Sequence, residues 1–152
     1  MDLRGTYSLN AEVDKVWAAL FDEHVLAACI PGCQELSQTA PQAFAATVKL
    51  KIGPVSAKFK GDVEITDAIA PSTCKLTGRG SGGIAGFAKG TANVTLTPTP
   101  DGTTLDYVAD AALGGKIASL GSRLMQSTTR KLADQFFGSF SEHLEDATRS
   151  SD

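Results

Sequence analysis

The chain has 152 residues, 42% of them hydrophobic and 20% charged, which is enough apolar material for the core of one globular domain. The formal net charge of −3 does not indicate a nucleic-acid or membrane partner, and no apolar run approaches the roughly 18 residues of a membrane span. The three cysteines, Cys29, Cys33 and Cys74, form no disulfide framework and favour unpaired thiols in a reducing cytosol.

The first quarter of the chain predicts a strand, two helices and a second strand. Residues 3–9 alternate apolar and polar side chains, which is typical of a strand with one buried face. Asn10 is a candidate cap for a helix over 11–21, because its side chain accepts hydrogen bonds from free backbone N–H groups. A short helix is expected over 23–28, followed by a short strand near 34–37.

The middle of the chain predicts an antiparallel meander. Residues 44–52 and 55–66 alternate strictly and meet at Gly53-Pro54, which indicates a hairpin with one buried and one wet face. Further alternating segments cover 74–81, 88–96 and 105–111.

The last third predicts a long amphipathic helix over about 115–147, because its apolar residues recur at steps of three and four. Helices on one face of an antiparallel sheet define an α+β architecture. The order of elements is that of a helix-grip fold, in which a curved antiparallel sheet wraps around the C-terminal helix. We predict a single domain over 1–147 and a short polar tail over 148–152.

The predicted inner face of the sheet is poor in large side chains. The positions with only a hydrogen or a methyl group include Gly5, Ala46, Ala57, Gly61, Gly78, Gly80, Ala88, Gly90, Ala92, Ala109 and Ala111. Two interpretations remain open: these residues permit curvature and close approach of the helix, or they leave a tunnel between sheet and helix for a lipid-like or ring-bearing ligand. The predicted walls of the tunnel are Tyr7, Phe44, Phe59, Leu76, Phe87, Tyr107, Leu120, Leu124, Met125 and Thr128.

The glycine-rich connection at 80–86 also has two interpretations. It lacks the Gly-Lys-Ser/Thr ending of a phosphate-binding loop, and it joins two strands instead of opening a helix. It is either a flexible lid over the tunnel, formed by Gly83, Ile84 and Gly86, or an ordinary hairpin loop.

No catalytic or metal site is predicted. His24 and His143 have no carboxylate or cysteine at a recognisable catalytic or metal-ligand spacing. Cys29 and Cys33 are separated by three residues, not two, and no second ligand pair follows them.

Basic residues recur on the predicted outer face of the sheet, namely Arg4, Lys49, Lys51, Lys58, Lys60, Lys75, Arg79 and Lys89. Asp62, Glu64, Asp106 and Asp110 dilute this charge. The face is either an ordinary solvated surface or a docking surface for an acidic protein or anionic lipid headgroups.

Four stretches carry a resemblance to a known family. They are Cys29-Ile-Pro-Gly-Cys33-Gln-Glu-Leu, Gly53-Pro-Val-Ser-Ala-Lys-Phe-Lys-Gly61, Gly80-Ser-Gly-Gly-Ile-Ala-Gly-Phe-Ala-Lys-Gly90, and Gly114-Gly-Lys-Ile-Ala-Ser-Leu-Gly121 with its continuation Lys131-Leu-Ala-Asp-Gln-Phe-Phe137. The chain resembles the CoxG family of carbon monoxide dehydrogenase subunits, which belongs to the START-like, or SRPBCC, superfamily. The resemblance implies the START/Bet v 1-like form of the helix-grip fold.

The resemblance also implies a role. Members of this family accompany a molybdenum-containing carbon monoxide dehydrogenase and are linked to its recruitment to the membrane, where electrons enter the quinone pool. We therefore expect a non-catalytic accessory protein that binds a quinone or lipid, without a metal, a covalent cofactor or nucleic acid. Its expected location is the cytoplasm, with peripheral contact at the inner face of the plasma membrane.

Two other functions are kept as alternatives. A START-like cyclase or hydrolase acting on an apolar substrate would need polar groups in the tunnel, and Tyr7, Tyr107 and Thr128 are the candidates. An assembly factor without a ligand would instead dock through the basic face of the sheet.

Overall fold

The computed structural model describes residues 1–150, with side chains described as far as residue 145. Its helices and strands are β1 (Asp2–Leu9), α1 (Val13–Leu20), α2 (Glu23–Cys29), β2 (Cys33–Ala40), β3 (Ala43–Ile52), β4 (Val55–Ile69), β5 (Thr73–Ser81), β6 (Phe87–Thr99), β7 (Gly102–Gly114) and α3 (Ser122–Ser150). The predicted polar tail at 148–152 lies outside the residues whose side chains are described.

The strands form one antiparallel sheet in the order β1-β7-β6-β5-β4-β3-β2. Strands β2 to β7 follow one another as hairpins, and β1 returns to pair with β7. The predicted turn at Gly53-Pro54 is confirmed, because Ile52 and Val55 are paired across it. The predicted α+β helix-grip fold is confirmed: a curved sheet is accompanied by a long C-terminal helix.

The predicted cap of the first helix is wrong. Helix α1 begins at Val13 with Glu12 at its cap position, and no side chain accepts a hydrogen bond there. The Asn10 amide instead donates to a Glu145 carboxylate oxygen at 2.9 Å, so it ties the strand end to α3. Helix α2 is capped by Asp22, whose carboxylate accepts hydrogen bonds from two backbone N–H groups of its first turn.

The long helix begins at Ser122, several residues later than predicted. Gly115 and Gly121 both have positive φ angles, +75° and +98°, which an α-helix cannot contain. Between them lies a short 3₁₀ turn, Ala118–Leu120. Ile117 and Leu120, which the apolar pattern places on the helix, therefore belong to the segment that leads into it.

Helix α3 packs on α2 and is held to the edge strand β1 by side-chain hydrogen bonds. The donors and acceptors are spaced four residues apart along the helix, so they lie on one face. Gln126 donates to the Asp2 carbonyl (3.3 Å), Arg130 donates to the Arg4 carbonyl (3.2 Å), and Asp134 accepts from the Tyr7 hydroxyl (2.6 Å).

The buried core is divided into two clusters. The larger one packs α1, α2 and the C-terminal half of α3 on the sheet, and it contains the fully buried Val16, Leu105 and Phe140. The smaller one lies at the end of the sheet where α3 begins, and it consists of Ile52, Val55, Phe59, Ala85, Ile117 and Met125.

We expect Gly138→Ala to stabilise the protein by about 0.5–1 kcal/mol, because alanine favours the helix and glycine does not. Gly138 lies within α3, and an added Cβ would meet no atom within 4 Å. The free energy of unfolding from chemical denaturation measures the effect.

Gly121→Ala is the matched control. A Cβ there also meets no atom within 4 Å, but the φ angle of +98° strains any side chain. This variant should be destabilised by about 1 kcal/mol. Equal effects of the two substitutions would contradict the assigned start of α3.

Candidate ligand-binding cavity

The concave face of the sheet holds a cavity of about 490 Å³. It lies between the two core clusters, over the middle strands of the sheet and beside α1 and α2. Its lining consists of Leu20, Leu26, Ile30, Leu36, Phe44, Ala46, Val48, Phe59, Gly61, Asp62, Val63, Ile65, Cys74, Leu76, Gly78, Arg79, Gly80, Ala88, Lys89, Gly90, Val94 and Ala111.

The floor of the cavity is made of paired glycines. Gly61 faces Gly80 across β4 and β5, and Gly78 faces Gly90 across β5 and β6. Ala46, Ala88 and Ala111 continue the two rows on neighbouring strands. Because these seven positions carry at most a methyl group, the cavity reaches down to the peptide backbone there. Val63, which pairs with Gly78, is the larger side chain in the second row.

The two interpretations of the small residues apply at different positions. A Cβ at Gly61 or Gly90 would meet a backbone carbonyl oxygen on the adjacent strand at 2.5 or 2.7 Å, so glycine is required there by strand packing. A Cβ at Gly80 would come no closer than 3.6 Å to another atom, and the nearest atom to one at Gly78 is a methyl carbon of Val63 at 3.3 Å. Backbone packing therefore does not demand glycine at 78 and 80.

The side-chain walls of the cavity are almost wholly apolar. Burial raises the pKa of the Cys74 thiol, which therefore remains neutral at neutral pH and contributes no nucleophile. Asp62 and Arg79 also border the cavity, but their side chains are largely exposed and lie 3.7 Å apart. Val63 lines the cavity and is still 39% exposed, so the space is open to solvent.

Three of the predicted wall residues border the cavity, namely Phe44, Phe59 and Leu76. The residues predicted on or near the long helix do not. Met125 is buried in the smaller core cluster, where Leu120 also packs, and Leu124 lies beside Gly53. The later start of α3 and its attachment to β1 explain this difference, because they direct the first turns of the helix to the end of the sheet. Thr128, half-buried on α3, is also absent from the lining.

Tyr7 and Tyr107 lie in an aromatic cluster under α3, outside the cavity lining. Their rings are nearly parallel, with centroids 6.2 Å apart, and Phe137 stacks on Tyr7 at 4.3 Å. The Tyr107 ring lies over its cross-strand partner Gly5, where an added Cβ would collide with the ring. The cluster anchors α3 to β1 and β7 through stacking and close packing.

The two tyrosine hydroxyls differ in their surroundings. Burial and the hydrogen bond to Asp134 raise the pKa of Tyr7 far above its ordinary value. The Tyr107 hydroxyl is buried and has no hydrogen-bond partner among the described residues.

The predicted lid lies at the end of the sheet and does not border the cavity. Ile84 is 92% exposed, and Phe87 is 49% exposed at the start of β6. The loop is held by hydrogen bonds from Gly82 N to Gly86 O and from Ile117 N to Ala85 O, both 2.8 Å. Gly83 and Gly86 both have positive φ angles in this turn.

The sequence analysis did not predict that residues on or near α1 and α2 would border the cavity. Leu20 of α1, Leu26 of α2 and Ile30 just after it border the space, as does Val48 on β3. A signal was present, since the apolar residues Leu26 and Ile30 lie at the end of the second helix, before the Pro31-Gly32 turn. Helices α1 and α2 therefore form the helical wall of the cavity, which the sequence analysis assigned to the long C-terminal helix.

Both histidines are exposed and neither borders the cavity. Within the described residues, no group of three or more His, Cys, Asp or Glu side chains is arranged to hold a metal ion. No helix in this part of the chain combines the length and apolarity needed to cross a bilayer.

Comparison with solved structures shows that the chain has the fold of START-like proteins. A conserved protein from Geobacillus kaustophilus superposes with a TM-score of 0.91 at 30% identity, covering 97% of each chain. A START superfamily protein from Mycobacterium smegmatis gives 0.66 at 17% identity over 94% of this chain and 98% of that one. The Zhui aromatase/cyclase from Streptomyces sp. R1128 gives 0.72 at 11% identity, over 99% and 97%.

The family is defined by sequence. The model of the CoxG family of carbon monoxide dehydrogenase subunits matches residues 5–145. The chain therefore belongs to the CoxG family. No curated protein matches it significantly.

We expect Tyr7 to ionise only well above pH 10 in the folded protein. Because its pKa is raised on folding, the stabilisation linked to Tyr7 is fully present below about pH 10 and is lost as the pH rises through the raised value. Phenolate absorbance of the wild type minus that of Tyr7→Phe isolates this residue, since the chain has only two tyrosines.

Asp134→Asn provides the control for the hydrogen bond. It should lower the pKa of Tyr7 only in part, because burial is the larger cause. A difference titration centred near pH 10 in the wild type would contradict the described contact.

Proposed function

We propose that this protein is a non-catalytic accessory protein that binds a hydrophobic ligand, a quinone, in the cavity over the glycine floor. The observation that carries the proposal is the floor itself. Paired glycines remove side chains from the centre of the sheet, where core packing would otherwise place large apolar residues. The cavity volume of about 490 Å³ is within the range of small-molecule sites.

The chemistry of the lining suits a flat ring. Bare peptide planes at Gly78 and Gly80 permit an aromatic or quinonoid ring to lie directly against the sheet, with Phe44 and Phe59 as walls. The apolar side chains supply the driving force for binding. Opening of the cavity beside Val63 leaves room for an apolar tail to extend out of the site.

The proposed role in the cell follows from the family. The CoxG family is described as a subunit of carbon monoxide dehydrogenase. We infer that this protein associates with a molybdenum-containing carbon monoxide dehydrogenase and links it to the membrane, where a quinone accepts electrons. The enzyme would carry out the oxidation, and this chain would hold the acceptor.

The polar residues predicted for the enzyme alternative do not border the cavity. An acid–base reaction needs polar side chains beside the substrate, but Tyr7, Tyr107 and Thr128 lie outside the cavity lining. The likeness to an aromatase/cyclase at 11% identity concerns the fold alone. We therefore keep the non-catalytic role as the proposal.

Gly80→Val should abolish or weaken quinone binding by about tenfold or more, because its methyl groups fill the floor of the cavity. The backbone accepts the substitution, since the nearest atom to a Cβ is 3.6 Å away and valine favours strands. Binding of menadione is measured by calorimetry and by quenching of Trp17, the only tryptophan in the chain.

Ser81→Val is the matched control, because it places a valine at the next residue, which is exposed on the opposite face of β5. It should bind menadione like the wild type. Wild-type affinity in a folded Gly80→Val variant would overturn the proposed site, and absence of binding in the wild type would favour the ligand-free assembly factor.

Association with the dehydrogenase is tested separately. The protein and a molybdenum-containing carbon monoxide dehydrogenase from the same organism should co-elute in size-exclusion chromatography after co-expression. If they elute apart while menadione still binds, the partner is wrong and the ligand site stands.

A further inference from the structure

The positive charge on the convex face of the sheet is concentrated at one end. The register places six cationic side chains on the outer rows of β3 to β6, toward the loop between β5 and β6. They are Lys49, Lys51, Lys58, Lys60, Arg79 and Lys89, and all are exposed. We call this set the cationic end. It is unexpected on a chain with a net charge of −3.

Acidic residues border one part of the cationic end. Asp62 lies among these rows and pairs with Arg79 at 3.7 Å. Glu64 and Asp110 line a neighbouring groove together with Arg79 and Lys89, so they balance part of the charge on β5 and β6. Asp106 lies further along β7. The register places Lys49, Lys51 and Lys58 further from these acidic residues, toward the turn between β3 and β4.

Two pairs of like charges face each other directly. Lys49 is the cross-strand partner of Lys58, and Arg79 is the partner of Lys89. Like charges in this position destabilise a sheet. Their presence indicates a surface arranged to attract an anionic partner at the expense of local stability.

An apolar tip protrudes beside these cations. Ile84 is 92% exposed at the turn, and Phe87 is 49% exposed in the same cross-strand row as Lys60 and Ser81. A groove of about 320 Å³ joins Phe87 to these cations; Lys60, Arg79 and Lys89 line it together with one acidic residue, Asp62. Lys116 is exposed in the segment that the Ile117–Ala85 hydrogen bond holds against the loop.

We propose that the cationic end and its apolar tip form the docking surface for an anionic phospholipid bilayer. Lysines of the groove bind phosphate headgroups, while Ile84 and Phe87 enter the boundary between headgroups and acyl chains. This deepens the membrane link of the proposed function and rests on it. An acidic protein would also meet the charge, but a single isoleucine standing free at a loop tip fits the interior of a bilayer interface better than a flat protein surface.

The docking surface adjoins the cavity at two places. Arg79 and Lys89 line both the groove and the cavity. A Cβ at Gly82, the first residue of the loop, would come within 2.7 Å of the Phe59 ring, which is part of the cavity wall. Docking would therefore bring the bilayer to the end of the sheet that carries this wall. A lipid-soluble ligand would then have a short route between bilayer and cavity.

Co-sedimentation of the ligand-free protein with vesicles tests the proposal. We expect binding to phosphatidylcholine vesicles that contain about one-third phosphatidylglycerol, little binding to phosphatidylcholine alone, and loss of binding between about 0.1 M and 1 M salt. Ile84→Ser should weaken binding about tenfold, and Lys60→Gln with Lys89→Gln about 20-fold. Both changes are at exposed positions, so folding should be unaffected.

Matched controls lie away from this end. Ile69 is 67% exposed at the opposite end of β4, and Lys15 and Lys131 are exposed on α1 and α3. Ile69→Ser and the pair Lys15→Gln, Lys131→Gln should bind vesicles like the wild type.

The proposal is overturned if the wild type ignores anionic vesicles at low salt, or if the controls lose binding as much as the test variants. Loss on lysine removal with no effect of Ile84→Ser would overturn the insertion of the apolar tip, because binding would then rest on electrostatic attraction to the headgroups alone. Because no quinone is present, these outcomes are independent of menadione binding, so vesicle docking and the ligand site fail separately.

Discussion

The glycine pairs at the centre of the sheet are the constraint on which the rest of the structure depends. Along β4, the inward residues pass from Phe59 in one core cluster through Gly61 and Val63 to Ile65 in the other. Removing side chains from the middle gives up apolar burial, at about 25 cal/mol per Å². The protein compensates with two separate clusters, one at each end of the cavity.

The helices contact different parts of the concave face of the sheet. Helices α1 and α2 border the cavity with Leu20 and Leu26, whereas α3 stabilises both clusters without lining the space between them. Met125 packs in the smaller cluster and Phe140 in the larger one. The two packed clusters thus lie on either side of the cavity, and the long helix does not border it.

The fold could be predicted from the sequence because its signals are local. Strict alternation on β3 and β4 and the Gly53-Pro54 turn specify strands and register with little help from the rest of the chain. The shortage of large inward residues likewise left a cavity as one of two open interpretations. The helical part of the cavity wall could not be predicted, because the start of α3 depends on the φ angles of Gly115 and Gly121, and an apolar helical stripe is the same whether it faces a core or a ligand.

The grouping of charges on the outer face of the sheet is a second feature that could not be predicted from the sequence. The number of lysines on the outer face can be counted from the alternation, but their grouping depends on which strands pair and in which register. Lys49 and Lys58 become neighbours only because β3 and β4 pair across Gly53-Pro54, and Arg79 meets Lys89 only through the β5–β6 register. Residues that are far apart in sequence form one electrostatic feature in this way.

The hydrogen bonds between α3 and β1 have a consequence for the solubility of the fold. An open sheet has two edge strands whose unpaired backbone groups invite another chain to add on. At β1, Gln126 and Arg130 occupy the carbonyls of Asp2 and Arg4. At the other edge, β2 breaks its register with β3 twice and so presents no regular row of partners. The open sheet is thereby protected from edge-to-edge aggregation by a helix on one side and by irregular backbone on the other.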